Sequence, residues 1–134
     1  MRVDPRTHDK ISPGLCGRPV ELRDGYAKVV LDASAEMAAD GRGLVHCGFT
    51  FGLADYAAML AVNEPTVVLA SATTRFLGPV VAEDRLEAEA TVERTEGRKR
   101  TVKVTVRCDG SPVMEGEFLA VVLDHHILDA AKKS

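Results

Sequence analysis

The run Cys47 to Val62, CGFTFGLADYAAMLAV, constrains this chain most: sixteen residues in which Asp55 is the single charged side chain. Its length, closed by Asn63 and Pro65, fits a helix over His46 to Asn63 rather than a strand. Its apolarity on every side predicts that the helix is buried. It is too short to span a bilayer. Such a helix needs a layer to wrap it, and the chain after Pro65 reads as strands. In Arg85–Thr95, Leu86, Ala88, Ala90 and Val92 alternate with Glu87, Glu89, Thr91 and Glu93. Thr101–Cys108 repeats the pattern with Val102, Val104, Val106 and Cys108 on one face. This alternation predicts a sheet with one covered and one wet face.

Further strands are expected at Tyr26–Asp32, Thr66–Phe76 and Val113–Leu123, with a short turn or helix around Ala33–Ala39. Glu96-Gly97 and Asp109-Gly110 are turn signals that make the last three strands a meander. Residues 1–19, with Pro5, Pro13, Pro19, Gly14 and Gly17, read as an irregular N-terminal arm, and residues 20–134 as one domain. The expected class is α+β, one long helix against an antiparallel sheet of about five to six strands.

The chain's 134 residues suit one domain. Its folded surface scales to about 6,800 Å² against about 21,000 Å² extended, enough for one core. Aromatic residues make up only 4%, with no Trp, so the core must be Val, Leu and Ala. That leaves few stacking platforms for single-stranded nucleic acid, and a net charge of -3 argues the same way. No G-x-S-x-G occurs, and the size excludes the α/β-hydrolases. Cys16, Cys47 and Cys108 form no C-x-x-C pair and suit a reducing compartment. Arg2, Asp4, Arg6, Asp9 and Lys10 leave no apolar signal region, so a cytoplasmic location is the default expectation, with neither membrane nor nucleic acid as partner.

Asp55 is the residue to explain, because an isolated buried carboxylate is costly. It either caps a neighbouring loop or stands ready as a general base or nucleophile. Gly43, Cys47 and Gly48 lie at the helix start, where free amides and the positive dipole end can polarise a carbonyl oxygen. Gly48 and Asp55 share a helix face but lie roughly 10 Å apart along the axis. A reacting carbonyl must sit about 3 Å from both nucleophile and oxyanion donor. If the two act together, Gly48 of one chain meets Asp55 of another, and the site requires a dimer.

The stretch Gly43 to Ala58, G-L-V-H-C-G-F-T-F-G-L-A-D-Y-A-A, resembles the hotdog-fold acyl-CoA thioesterases of the phenylacetate-pathway (PaaI-like) type, whose pattern is G-x-x-H-G-G-x-x-x-x-L-x-D-x-A. His46, Gly48, Leu53, Asp55 and Ala57 match it. Arg75 to Asp84 resembles the strand and turn that follow, and the likeness in motif order spans roughly residues 26–123. The resemblance implies a helix wrapped by a sheet, and active sites at the interface of a homodimer or of a homotetramer built as a dimer of dimers. It implies Asp55 as general base or nucleophile, the Gly48 amide as oxyanion donor and His46 as the shaper of the entry turn. The substrate implied is a coenzyme A or acyl-carrier thioester, with no other cofactor.

Three departures stand out. Cys47 replaces the first Gly of the H-G-G triplet, which alters the adjacent substrate pocket. Asp40 stands where the family often has an Asn that helps place water, and a second carboxylate there would raise the pKa of Asp55 if the two are close. Leu69 falls where some members carry a hydroxyl. Arg98, Lys99 and Arg100 follow Gly97 in a hairpin. They are a solvated turn or, by the resemblance, Arg98 and Lys99 meet the coenzyme A phosphates, with Arg75 a weaker candidate. His125-His126, between Asp124 and Asp129, read as a surface pair, and no metal site is expected. His8 has no partner in sequence. Phe49, Phe51, Tyr56 and Met59 serve as pocket or as core.

Three functions follow in order of expectation: thioester hydrolysis, a non-catalytic acyl-CoA or acyl-carrier binding module like the ligand domain of malonyl-CoA-sensing repressors, and a hotdog hydratase or dehydratase using His46 with Asp55. The absence of a helix-turn-helix pattern before Tyr26 counts against a repressor. A buried carboxylate counts against a pure binder.

Overall fold

In the computed structural model, which describes residues 3–131, the period-two segments form one six-stranded antiparallel sheet. The strands are β1 (Arg18–Arg23), β2 (Tyr26–Asp32), β3 (Val67–Phe76), β4 (Arg85–Glu96), β5 (Lys99–Cys108) and β6 (Ser111–Val122). Their order across the sheet is β1-β2-β4-β5-β6-β3, so β1 and β3 are the edges. The helices are α1 (Pro13–Cys16), α2 (Cys47–Val62) and α3 (Ile127–Ala131), with a 3-10 turn at Ala35–Met37.

The alternation decides where the core sits. Leu86, Ala88 and Ala90 of β4 and Val102, Val104 and Val106 of β5 are fully buried, as are Ala27 and Val29 of β2. They meet α2 through Leu53, Ala54, Ala57, Ala58 and Leu60 in a single cluster. The intervening Glu and Arg residues stay on the wet face, where Arg107 donates to Glu89 at 3.0 Å and Tyr26 donates to the same carboxylate at 2.6 Å. Two or three methyl-rich side chains per strand leave room for the helix to lie close to the sheet, which the small Ala residues exploit.

α2 starts and stops as its sequence demands. His46 precedes it in extended conformation, without a side-chain cap. Asn63 ends it in the left-handed region (φ 54°), its amide donating to the Met59 carbonyl, an ending that Asn tolerates after Gly. The same Asn63 side chain ties down the N-terminal arm. Its Oδ1 accepts from the Arg6 amide at 2.6 Å and its Nδ2 donates to the Asp4 carbonyl at 2.9 Å.

The structure corrects the expected arm. Residues 13–19 hold α1 and the start of β1, so a strand begins inside the segment expected to be irregular. β1 escaped notice because only Leu22 of its six residues is buried, Pro19 sits in it, and it is bulged between Pro19 and Glu21. Edge strands carry little alternation and admit proline. The basic run is corrected as well. The turn is Gly97-Arg98, and Lys99 and Arg100 already belong to β5, paired with Glu96 and Thr95. His125 and His126 lie exposed between β6 and α3, where His126 Nδ1 accepts from the Leu128 amide.

Candidate active site

The loop before α2 presents the helix start. Gly43 (φ 82°) turns the chain, and its carbonyl accepts from the Ala82 amide at 2.8 Å. Val45 donates to Val80, and His46 to Met37. Asp40 serves this loop: its Oδ1 accepts from the Arg42 and Leu44 amides at 3.0 and 3.1 Å. Among the described residues, the Cys47 and Gly48 amides have no acceptor, whereas the Phe49 amide turns back to the His46 carbonyl. These free donors sit at the positive end of a sixteen-residue helix. His46 lies over Gly48, where a Cβ would come within 3.0 Å of its Cδ2. That contact explains the glycine better than any backbone demand.

Gly48, Gly52 and Asp55 follow at i, i+4 and i+7 and form one face of α2. Gly48 is exposed and Gly52 half-buried, and a Cβ on Gly52 would meet nothing within 4 Å. Asp55 is half-buried, and its Oδ1 is shut off from solvent without a hydrogen-bond partner. Burial pushes its carboxyl above the ordinary value of 3.8, while the charge of His8 pulls it back. Asp40, expected as a possible second carboxylate, has no part in this shift: it is exposed and spent on its own loop. Within one protomer, then, the amides and the carboxylate lie along one helix rather than converging.

The remaining expected residues are scattered. Cys47 is exposed at the first position of α2. Arg75 is on β3, paired with Glu115 at 3.7 Å. Arg98 is at the β4–β5 turn, engaged with Asp124. Lys99 is without an ion pair among the described residues and lines a groove of about 350 Å³ on the wet face, beside Ser71, Thr73, Arg94, Glu96 and Glu117. Arg100 borders Ala61 and Val62, which puts this hairpin at the C-terminal end of α2, far from Gly48 of the same chain. Phe51 stacks on Phe118 at 5.4 Å and packs with Tyr56 and Met59 against the core, whereas Phe49 meets the His46 ring edge-on at 6.2 Å.

Two residues near Asp55 went unassigned from sequence. Cys16 of α1 has its thiol pushed up by burial and by the Asp55 charge. His8 comes within 6.2 Å of the Tyr56 ring, centre to centre. Neither carries a local motif. Asn63 gave the one available signal, since a helix-ending Asn has an amide free to hold another segment.

A buried helix wrapped by a six-stranded antiparallel sheet, with free amides at its start, defines the hotdog fold. The model of the thioesterase superfamily matches residues 42–115, more than half of the chain. This chain belongs to the thioesterase superfamily. An uncharacterized protein, PH1136, from Pyrococcus horikoshii has a crystal structure 50% identical to it, with a TM-score of 0.95 over 96% of this chain and 99% of that one. A mutant of the phenylacetic acid degradation protein PaaI from Thermus thermophilus is 30% identical, with a TM-score of 0.74 over 81% of this chain and 95% of that one. Methylthioribose-1-phosphate isomerase of Aquifex aeolicus (strain VF5) is 47% identical over 121 residues, 90% of this chain. The chain spans only 26% of that isomerase, and 56% of the transcription factor FapR of Caldanaerobacter subterraneus, to which it is 25% identical over 84% of its own length. Among the described residues no helix is long and apolar enough to cross a membrane.

Proposed function

We propose that the chain hydrolyses an acyl thioester of coenzyme A, or of an acyl carrier, at a site completed by a second copy of itself. The observation that carries this reading is the half-buried Asp55 carboxylate without a partner, on the same open helix face as the free Gly48 amide. One helix keeps the two groups roughly 10 Å apart, and an antiparallel pair of α2 helices closes that gap twice, once at each end of a twofold interface. Gly52 suits such a pair because it lets the helices approach closely.

The Gly48 N–H of one protomer holds the thioester carbonyl oxygen, where negative charge develops. Asp55 of the other takes a proton from water as the water oxygen bonds to the carbonyl carbon. Collapse of the tetrahedral intermediate breaks the C–S bond, and the proton passes to the leaving thiolate. Alternatively, Asp55 attacks the carbonyl itself and the C–S bond breaks to expel the thiolate, and water then opens the anhydride to return the Asp55 carboxylate and the free acid. A carboxyl held above its ordinary range is a better base near neutral pH than a solvated one. His46 shapes the entry turn, Cys47 and Asp40 border the substrate side of it, and Lys99, with Arg98 and Arg75, offers positive charge to the nucleotide end. The reaction asks for no cofactor besides the thioester. The test is Asp55→Asn, assayed by free-thiol release over a panel of acyl-CoAs: undiminished hydrolysis by the folded variant refutes the reading.

The likeness to the transcription factor FapR favours a second reading, a binding module that holds acyl-CoA without cleaving it. Calorimetric binding of acyl-CoA with no thiol released would select it.

A further inference from the structure

We propose that the cleft between the N-terminal arm, the start of β3 and the segment leading into α3 is a binding site for a phosphate group, held by Arg6, His8 and His126. It shares no residue with the proposed hydrolysis, and its occupancy does not depend on that reading.

The cleft has a volume of about 360 Å³ and is bounded by pieces from both ends of the chain. Hydrogen bonds fix its arm wall. Asn63 Oδ1 accepts from the Arg6 amide at 2.6 Å, and Asn63 Nδ2 donates to the Asp4 carbonyl at 2.9 Å. Thr7 is buried, and its Oγ1 lies 2.8 Å from His8 Nδ1. His8 itself holds φ 56°, a left-handed conformation that costs a non-glycine residue energy and persists where the surroundings impose it. The opposite wall is fixed as firmly. Thr66 Oγ1 donates to the Leu123 carbonyl at 2.5 Å, and the Leu123 amide donates back to the Thr66 carbonyl at 3.2 Å. That exchange ties the start of β3 to the end of β6 and directs the chain to His126. There the Leu128 amide donates to His126 Nδ1 at 3.1 Å.

Both imidazoles are thus engaged at Nδ1, which leaves Nε2 of each to meet a ligand. A backbone amide only donates, so His126 Nδ1 carries no proton and Nε2 does, a donor even in the neutral ring. Arg6 adds a guanidinium whose one ion pair among the described residues, with Glu64, is loose at 3.7 Å. Most of its N–H donors are uncommitted. These donors come from both walls of the cleft. A tetrahedral phosphate accepts on several sides, whereas a planar carboxylate is served by one guanidinium alone. A metal ion fits worse: among the described residues no three His, Cys, Asp or Glu side chains gather as ligands. Val67 and Ile127 give the cleft apolar sides, which suit the organic part of a phosphate ester. Asp9 is the one carboxylate in the lining, and it opposes an anion.

The chain's four histidines report on this site separately. Their Cε1 protons are followed by NMR at pH 7 as sodium phosphate is added, with sodium chloride at matched ionic strength as the control. Phosphate is expected to shift His8 and His126 saturably, with one shared midpoint, and to leave His46 in place. Arg6→Gln keeps the backbone amide that Asn63 holds and should raise the midpoint about tenfold. Asp9→Asn should lower it. A shift that fails to saturate, that chloride reproduces, that His46 shares or that Arg6→Gln leaves unchanged overturns the proposal. Circular dichroism checks each fold; should Arg6→Gln not fold, an unchanged midpoint in Asp9→Asn overturns it instead. Coenzyme A and dephospho-coenzyme A then identify the source of the phosphate. A response to coenzyme A alone assigns the site to its 3′-phosphate, a response to both to the diphosphate, and a response to neither to free phosphate.

Discussion

The two edges of the sheet are built to opposite ends. β1 is six residues long, bulged, carries Pro19, and receives Val3 of the arm against Leu22. β3 is ten residues long and proline-free, and beyond its bulge at Leu69/Ser71 it pairs with β6 on one side and with nothing described on the other. Ala70 to Thr73 are exposed there, and Phe76 and Leu77 add apolar surface at its end. Natural sheets blunt their free edges, so the second copy in the proposed function would find β3 the edge left open to it. α2 repeats the contrast: Leu53 packs close to Gly17 at the end of α1, whereas a Cβ on Gly52 would meet nothing within 4 Å.

The largest effect should come from removing the carboxylate. Asp55→Asn is expected to cost about 10³-fold in hydrolysis, and it should also stabilise the fold. The folded carboxyl titrates above its unfolded value of 3.8, so the native state holds its proton longer than the unfolded state. Stability is therefore lost as pH rises from the unfolded value through the folded one, and the loss persists above it. The amide escapes that penalty, and calorimetry at pH 7 should find Tm up by about 3 °C. A lower Tm would mean that Asp55 is well paired after all.

Gly52→Leu tests the open face. Among the described residues a Cβ at this position would meet nothing within 4 Å, and Leu is the better helix former by about 0.8 kcal/mol. Circular dichroism should record an intact fold and sedimentation a shift to monomer, with activity down about 10²-fold. An active, unchanged assembly would rule out the helix pair.

Gly17→Ala tests the closed side and should do the reverse. Gly17 adopts φ 99°, and a Cβ there would lie 2.7 Å from the Val30 carbonyl oxygen and 3.1 Å from Leu53 Cδ1. A loss of about 2–3 kcal/mol, near 10 °C in Tm, is expected with association unaltered. The smallest effect belongs to the hairpin. Lys99→Ala should raise KM for acyl-CoA about threefold in low salt and less in high salt, and Arg98→Ala should do less, being paired with Asp124.

Much of this was legible in the residues. Strict alternation in β4 and β5 reports one wet and one dry face, and a sixteen-residue apolar run between Gly43 and Asn63 reports a buried helix. The resemblance carried by His46, Gly48 and Asp55 pointed to the superfamily. β1 was hidden because an exposed edge needs no alternation. The arm's path was hidden because the approach of His8 to the Tyr56 ring depends on how the chain closes, not on any spacing along it. Asp40 was legible only in part: it stands where the family often has an Asn, but the two loop amides that its carboxylate accepts from leave no mark in sequence.

Asn63 stops α2 with its backbone and latches the arm with its side chain. Those two duties separate under mutation. Glycine would end the helix equally well and release the latch, so one substitution can free the arm while the helix still ends in place. The reverse path, acquiring the latch, is as short. A hotdog domain with this arrangement can thus gain or shed an ordered N-terminal arm without rebuilding its core.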